Sequence, residues 1–213
     1  MNKKIIFILI FFIILFSSTY ILFDSFKANN QKQDVLIKLN NIEKADIYLI
    51  DDQGSNKKVV TISDKANNVS LTKYQDFDIR YTATNDYESG IYSFYNDKKT
   101  TEIIVNPYYS NDILNNLLNQ EKDTINNVVN NYIAIMSAPY TIKNISLFGL
   151  GDISGVTLTY IGDDIFNSDT IRLALQKDNN NWTIINNKPE LVLTKYNTPA
   201  VKADILEKIN LLQ

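Results

Sequence analysis

Glu121, Asp163, Asp164 and Asp169 are the side chains of this 213-residue chain whose types and spacing could do chemistry. Glu121 falls between Leu118 and Ile125 on an otherwise apolar helical stripe. A carboxyl sunk into such a stripe has its pKa raised and can act as a general acid. The three aspartates cluster around one loop. Carboxylate pairs held at a defined separation hydrolyse glycosidic bonds, and oxygen-rich loops bind calcium. Glu121 with one of Asp163, Asp164 or Asp169 would make a carboxylate-based hydrolase of envelope polysaccharide. Each residue also has a plainer reading. Glu121 can sit at the edge of the stripe or pair with a Lys or Arg, and Arg172 is the partner expected. Gly162-Asp163-Asp164 has the composition of a hairpin turn, and no D-x-[DN]-x-[DN]-G calcium pattern occurs here. Asp51-Asp52-Gln53-Gly54 is turn-like in the same way. The plainer readings are preferred, so no catalytic residue, cofactor or metal site is assigned.

Other chemistry is excluded by composition. The chain has no cysteine and no histidine. Disulfides, thiol nucleophiles, Cys-type zinc sites and the usual neutral-pH base are all missing. Ser-His-Asp and Cys-His mechanisms are impossible. Net charge is −3, and no basic patch argues for nucleic acid. Residues 148–155 are glycine-rich, but they lack the lysine of a phosphate-binding loop and precede no helix start. Glycines in a turn between strands explain them better.

The elements that would position these residues begin with Ile5 to Phe23, an uncharged run in the length window of a membrane-spanning helix. Lys3 and Lys4 precede it and Asp24 follows, which predicts a cytoplasmic N-terminus, single-pass insertion and an extracytoplasmic remainder. The rival is a cleaved signal peptide, and either reading exports the rest. The lipid bilayer is thus the one partner named by the sequence. A polar linker occupies 24–33. Alternating apolar and polar residues then predict strands over 35–39, 45–50, 57–62, 69–71, 77–83, 92–95 and 100–105, an antiparallel β-sandwich module over 34–108. The spacing predicts one long helix over 110–137, with Ser110 as N-cap and Pro139 as terminator. Strands follow over 141–148, 156–161, 170–176 and 182–185, then an extended piece over 191–193. A last helix is expected to start at Pro199. Residues 109–213 thus read as an α+β roll, a long helix packed on a curved antiparallel sheet.

Residues 77–87 followed by 101–107 resemble the second half of PEGA-type modules, small β-sandwiches of bacterial surface proteins. Tyr87 stands in the tyrosine place of that pattern, with Asp86 where its glycine is expected. Residues 173–185 resemble the hairpin of cystatin-like and nuclear-transport-factor-like rolls, Trp182-Thr183-Ile184 matching its Trp-x-Ile. The layout as a whole is similar to membrane-anchored surface proteins of small-genome bacteria, and a roll behind one membrane helix also occurs in type IV secretion channels. These resemblances imply a spacer or binding module, not catalysis. The expected function is a non-enzymatic scaffold at the cell envelope with an envelope protein as partner. A sugar- or peptide-binding surface built on Tyr108, Tyr109 and Tyr140 is the further alternative.

Overall fold

The structure, a computed structural model, describes residues 31–97, 99–136, 139–162, 170–186 and 188–213. Ile5 to Phe23, and the loop carrying Asp163, Asp164 and Asp169, lie outside the described residues. No helix among the described residues is long and apolar enough to cross a membrane. The chain is α+β and divides into two units. Among the described residues, one comprises those up to Thr84 with Ser89–Pro107, the other Asn85–Glu88 with those from Tyr108 to Gln213.

The first unit holds β1 (Lys32–Leu39), β2 (Ile42–Ile50), β3 (Asn56–Ile62), β4 (Ala66–Thr72), β5 (Asp76–Ala83), β6 (Gly90–Tyr95) and β7 (Glu102–Val105). They form a sheet ordered β4-β1-β7 and another ordered β3-β2-β5-β6. Period-two alternation decides the faces. Val35, Ile37 and Leu39 of β1 share one core with Ile47 of β2 and with Phe77 and Ile79 of β5. One pair departs from the antiparallel expectation: β7 runs parallel to β1, Leu36 opposite Glu102 through Leu39 opposite Val105. It follows β6, which belongs to the other sheet, so no hairpin dictates its direction. Polar side chains hold that crossover. Gln33 Nε2 donates to Asn96 Oδ1 (2.8 Å), Asp97 O (2.7 Å) and Thr100 O (2.6 Å). Buried Asn96 in turn donates Nδ2–H to Thr72 O at 2.8 Å.

The second unit holds α1 (Asn111–Met136), β8 (Tyr140–Phe148), β9 (Ile153–Tyr160), β10 (Thr170–Asp178), β11 (Asn181–Ile184) and α2 (Ala203–Asn210). The sheet is antiparallel and ordered β11-β10-β9-β8. Ser110 O accepts the first helical bond of α1, from Leu114 N–H at 3.0 Å. α1 covers one sheet face: Ile125 and Val129 meet Ile145, Leu147, Val156, Leu158, Leu173 and Leu175. The other face is covered as well. Ile205, Leu206 and Ile209 of α2, with Leu193 and Val201, meet Ile153 and Ala174. The sheet therefore lies between two apolar layers, and Ile153 through Leu158 of β9 are buried without interruption.

Two local expectations shift. α2 begins after Lys202, its N-cap, so Pro199 lies in the preceding turn. Residues 191–193 form no strand. The Asn210 side chain instead takes both backbone groups of Leu193, each at 2.8 Å, where a neighbouring strand would.

Candidate functional site

Alternation along β10 points Ile171, Leu173, Leu175 and Lys177 to the α1 face and Arg172, Ala174 and Gln176 to the other. The β10–β11 connection is a two-residue turn with Asn179 at φ 46° and Asn180 at φ 66°, the left-handed pair that a type I′ hairpin demands. Its register sets Trp182 opposite Lys177. The cation and the indole N–H thus stand side by side beneath α1, where Glu121 meets both. Lys177 Nζ lies 2.7 Å from Glu121 Oε1 and Trp182 Nε1 lies 2.8 Å from Oε2. Each carboxylate oxygen has its own donor, so the helix is clamped to the hairpin by a partly buried ionic group.

The Lys177 hydrogen bond, then that of Trp182, holds the Glu121 carboxyl below its ordinary value of 4.5, outweighing the opposing effect of burial. That direction is opposite to what a general acid near neutral pH requires. The linkage follows from the sign. A depressed folded pKa adds stability that is complete above the unfolded value and vanishes as pH falls through the folded one. Glu121→Gln keeps an acceptor but loses the charge. It is expected to cost about 1.5–3 kcal/mol at pH 7, with the gap to the parent closing below pH 4.5. Urea titrations at pH 7 and pH 3 check this, and a gap independent of pH would contradict it.

Beside the clamp lies a cleft of about 390 Å³ lined by Tyr109, Leu117, Glu121, Asp152, Lys177 and the Asn179–Asn180 turn, among others. Asp152 belongs to the glycine-rich stretch, which is a turn between β8 and β9. Gly149 (φ 68°) and Gly151 (φ 79°) take left-handed conformations there, and Asp152 Oδ1 accepts from Leu150 N–H at 3.2 Å. Asp51 does similar work in the first unit, accepting from Gln53 N–H (3.0 Å) and Ser55 N–H (2.7 Å) in a tight turn. Among the described residues, no group of three or more acidic side chains could hold a metal ion.

Arg172 does not meet Glu121, and the expected pair is corrected. Arg172 sits on the opposite face of β10 and donates to three backbone carbonyls, Thr170 O, Leu191 O and Leu212 O. Lys177, which sequence reasoning passed over, takes its place. The signal for it was present, because Lys177 has the parity of Leu173 and Leu175. Tyr108, Tyr109 and Tyr140 form no exposed rim. Tyr109 meets Tyr87 in a tilted ring contact at 5.2 Å and Tyr140 packs edge-on to Tyr160 at 5.5 Å. Tyr108 has Lys202 Nζ 5.2 Å and Lys208 Nζ 5.8 Å from its ring centre. Asn85–Glu88 is built into this unit: Glu88 N–H donates to Tyr108 O (2.8 Å), Ser110 N–H to Asp86 O (2.9 Å), and Lys208 pairs with Glu88 at 3.0 Å.

No protein-family model matches the chain, and no curated protein or solved structure shows significant similarity to it.

Proposed function

We propose that this is a non-enzymatic, single-pass membrane-anchored protein that acts as a binding or scaffold module at the outer side of a cell membrane. Ile5 to Phe23 spans the bilayer. The first unit is a PEGA-like β-sandwich spacer. The second is a cystatin-like or nuclear-transport-factor-like roll that binds an envelope protein, in a secretion or envelope-assembly complex. The observation that carries the non-enzymatic part is the clamp. Glu121, the best-placed carboxylate, has both oxygens engaged by Lys177 and Trp182 and its pKa lowered. Both sheet faces of the second unit are also filled by apolar side chains, which leaves its binding to rims and edges.

The test compares the full chain with a version starting at residue 24 and exported by a separate cleavable signal. The full chain is expected to sediment wholly with membranes and to bring down a stoichiometric envelope protein, the shortened one to do neither. Full function from the shortened form would refute the tether. Cleavage of an envelope polysaccharide by the parent, lost in Glu121→Gln, would instead establish the hydrolase.

A second reading, sugar binding, is favoured by the cleft beside the clamp. Asp152, Asn179, Asn180 and Tyr109 supply the polar and aromatic groups, and its volume suits a small ligand. Calorimetric titration with envelope saccharides, repeated on Asp152→Ala, decides it.

A further inference from the structure

Among the described residues, six strands lie at sheet edges: β3, β6, β4, β7, β8 and β11. An edge strand presents a row of backbone donors and acceptors to any chain that can pair with it, and charged side chains are the usual guard. β3 carries Lys57 and Lys58, β7 Glu102 and β8 Lys143. β4 has Asn67, Asn68 and Ser70 along its length, and β11 is four residues long. β6 reads Gly-Ile-Tyr-Ser-Phe-Tyr, with no charge and no proline. Ile91 is 60%, Tyr92 39% and Tyr95 51% exposed. Such a strand, rich in aromatic and β-branched residues, has high pairing propensity.

We propose that β6 is a homodimer edge, pairing antiparallel with β6 of a second copy so that two four-stranded sheets become one. The register is fixed by the faces. Phe94 stands opposite Phe77 and Tyr92 opposite Ile79 on the core side, while Ile91 stands opposite Arg80 and Ser93 opposite Asp78 on the outer side. Directly opposed residues of an antiparallel pair share a face. The two-fold axis must therefore pass through a residue, not between two, or core faces would meet outer faces. An axis through Phe94 would oppose Tyr92 to Asn96, which is buried in the crossover. An axis through Tyr92 would oppose Phe94 to Gly90, with no side chain to meet. The axis through Ser93 sets Phe94 against the second copy's Tyr92, and Ile91 against its Tyr95. It extends the stacked rings of Phe77 and Phe94, 5.6 Å apart, across the joint.

Cross-strand aromatic pairs of this kind are the unit of sheet stabilisation, and no charge on β6 opposes them. A second copy satisfies this register because the strand is complementary to itself, the requirement of an isologous two-fold contact. Five paired residues on each side are far short of a standard interface of about 1,200–2,000 Å², so the dimer is weak and its population rises with concentration. The inference does not depend on the membrane anchor, since the first unit carries the whole strand.

The chain has no cysteine, so one introduced thiol reports its own neighbours. In the full-length chain, in detergent where solubility requires it, Ser93→Cys places a thiol on the axis. Opposed residues have Cα separations of about 4.5–5.5 Å, within disulfide reach. Diamide, which takes up the two electrons and two protons, is expected to convert Ser93→Cys to a covalent dimer. Ile91→Cys or Tyr95→Cys alone leaves the thiols about 13 Å apart along the strands, four residues of rise. Each is expected to cross-link about tenfold less, and mixing the two to restore the dimer. Adding Ile91→Lys and Tyr95→Lys to Ser93→Cys opposes like charges and should cut the yield about tenfold. Ile91→Lys with Tyr95→Glu should keep it. Ser93→Cys cross-linking no faster than Ile91→Cys overturns the proposal. So does cross-linking only to a different protein.

Discussion

Replacing Trp182 by alanine is expected to destabilise the helix–sheet unit by about 3–5 kcal/mol, the range for removing a buried tryptophan. The ring is 4% exposed and packs with Leu173, Leu175 and the α1 residues of the same core. The loss has two parts that phenylalanine separates. Trp182→Phe keeps most of the apolar contact but leaves Glu121 Oε2 without its indole donor. Hydrogen bonds to charged groups are worth about 1.5–3 kcal/mol, so Trp182→Phe should fall between the parent and Trp182→Ala. Glu121→Gln retains an amide oxygen for the indole, and Trp182→Phe in that background should cost less than in the parent. Residues sharing a hydrogen-bond network couple in this way. Trp182 is the sole tryptophan, so unfolding must be followed by far-ultraviolet circular dichroism. Hydrogen exchange in α1 and in β10–β11 assigns the loss to this unit. Costs below about 0.5 kcal/mol for Trp182→Ala, or no coupling to Glu121, would show that the clamp is ornamental surface chemistry.

The clamp also shows how far the sequence can be read. The strands over 35–39 to 100–105, the helix over 110–137 and the strands over 141–148 to 182–185 are legible because one face of each is apolar at a fixed period, and the structure has an element at each place. Alternation within one strand is local information. Which strand a residue faces is not, and two of the departures have that origin. Charge alone pairs Arg172 with Glu121, whereas its parity places it on the far side of β10 from α1. The parallel β1–β7 pair joins residues more than sixty positions apart, and no hairpin signal announces it. Such pairing is paid for only by side-chain packing across the whole unit.

The uninterrupted burial of β9 was equally hard to see. Ser154, Gly155 and Thr157 break the apolar pattern that a doubly covered strand normally shows, yet all three are buried. Small residues there let a second layer approach. That layer, α2 with Leu193 and Val201, comes from the end of the chain, where an eight-residue amphipathic helix gives no sign of which sheet face it will cover. Sequence reading thus foresees one helix on one face and leaves open whether the other face is a pocket. The structure fills it. A roll used as a binding module by way of an open sheet face would need that layer to move. One cleft lies at the rim, beside the Glu121 clamp, where the two asparagines of the β10–β11 turn and Asp152 offer polar groups.

How firmly α2 closes that face is set by Ile209 against Gly155, and Ile209→Ala is expected to cost about 2–5 kcal/mol. Ile209 is fully buried at the centre of the second apolar layer. A Cβ on Gly155 would fall 2.8 Å from Ile209 Cγ1, 2.9 Å from Cγ2 and 3.0 Å from Phe148 Cε2, so Gly155→Ala overpacks the same spot and should cost about 1–3 kcal/mol. The two changes are opposite in volume at one contact. Combined, the new methyl occupies part of the space left by the isoleucine, and the double variant should be more stable than the sum of the singles by about 1 kcal/mol. Urea titration of the four chains measures the coupling. Hydrogen exchange locates it, with protection falling first in residues 193 and 205–211 and persisting in α1, because α1 packs on the other sheet face in a separate cluster. Additivity within about 0.3 kcal/mol would mean that Ile209 and Gly155 do not share the contact. Simultaneous loss of protection in α1 and α2 would mean that the two layers unfold as one, and that α2 is as permanent a part of the sheet's covering as α1.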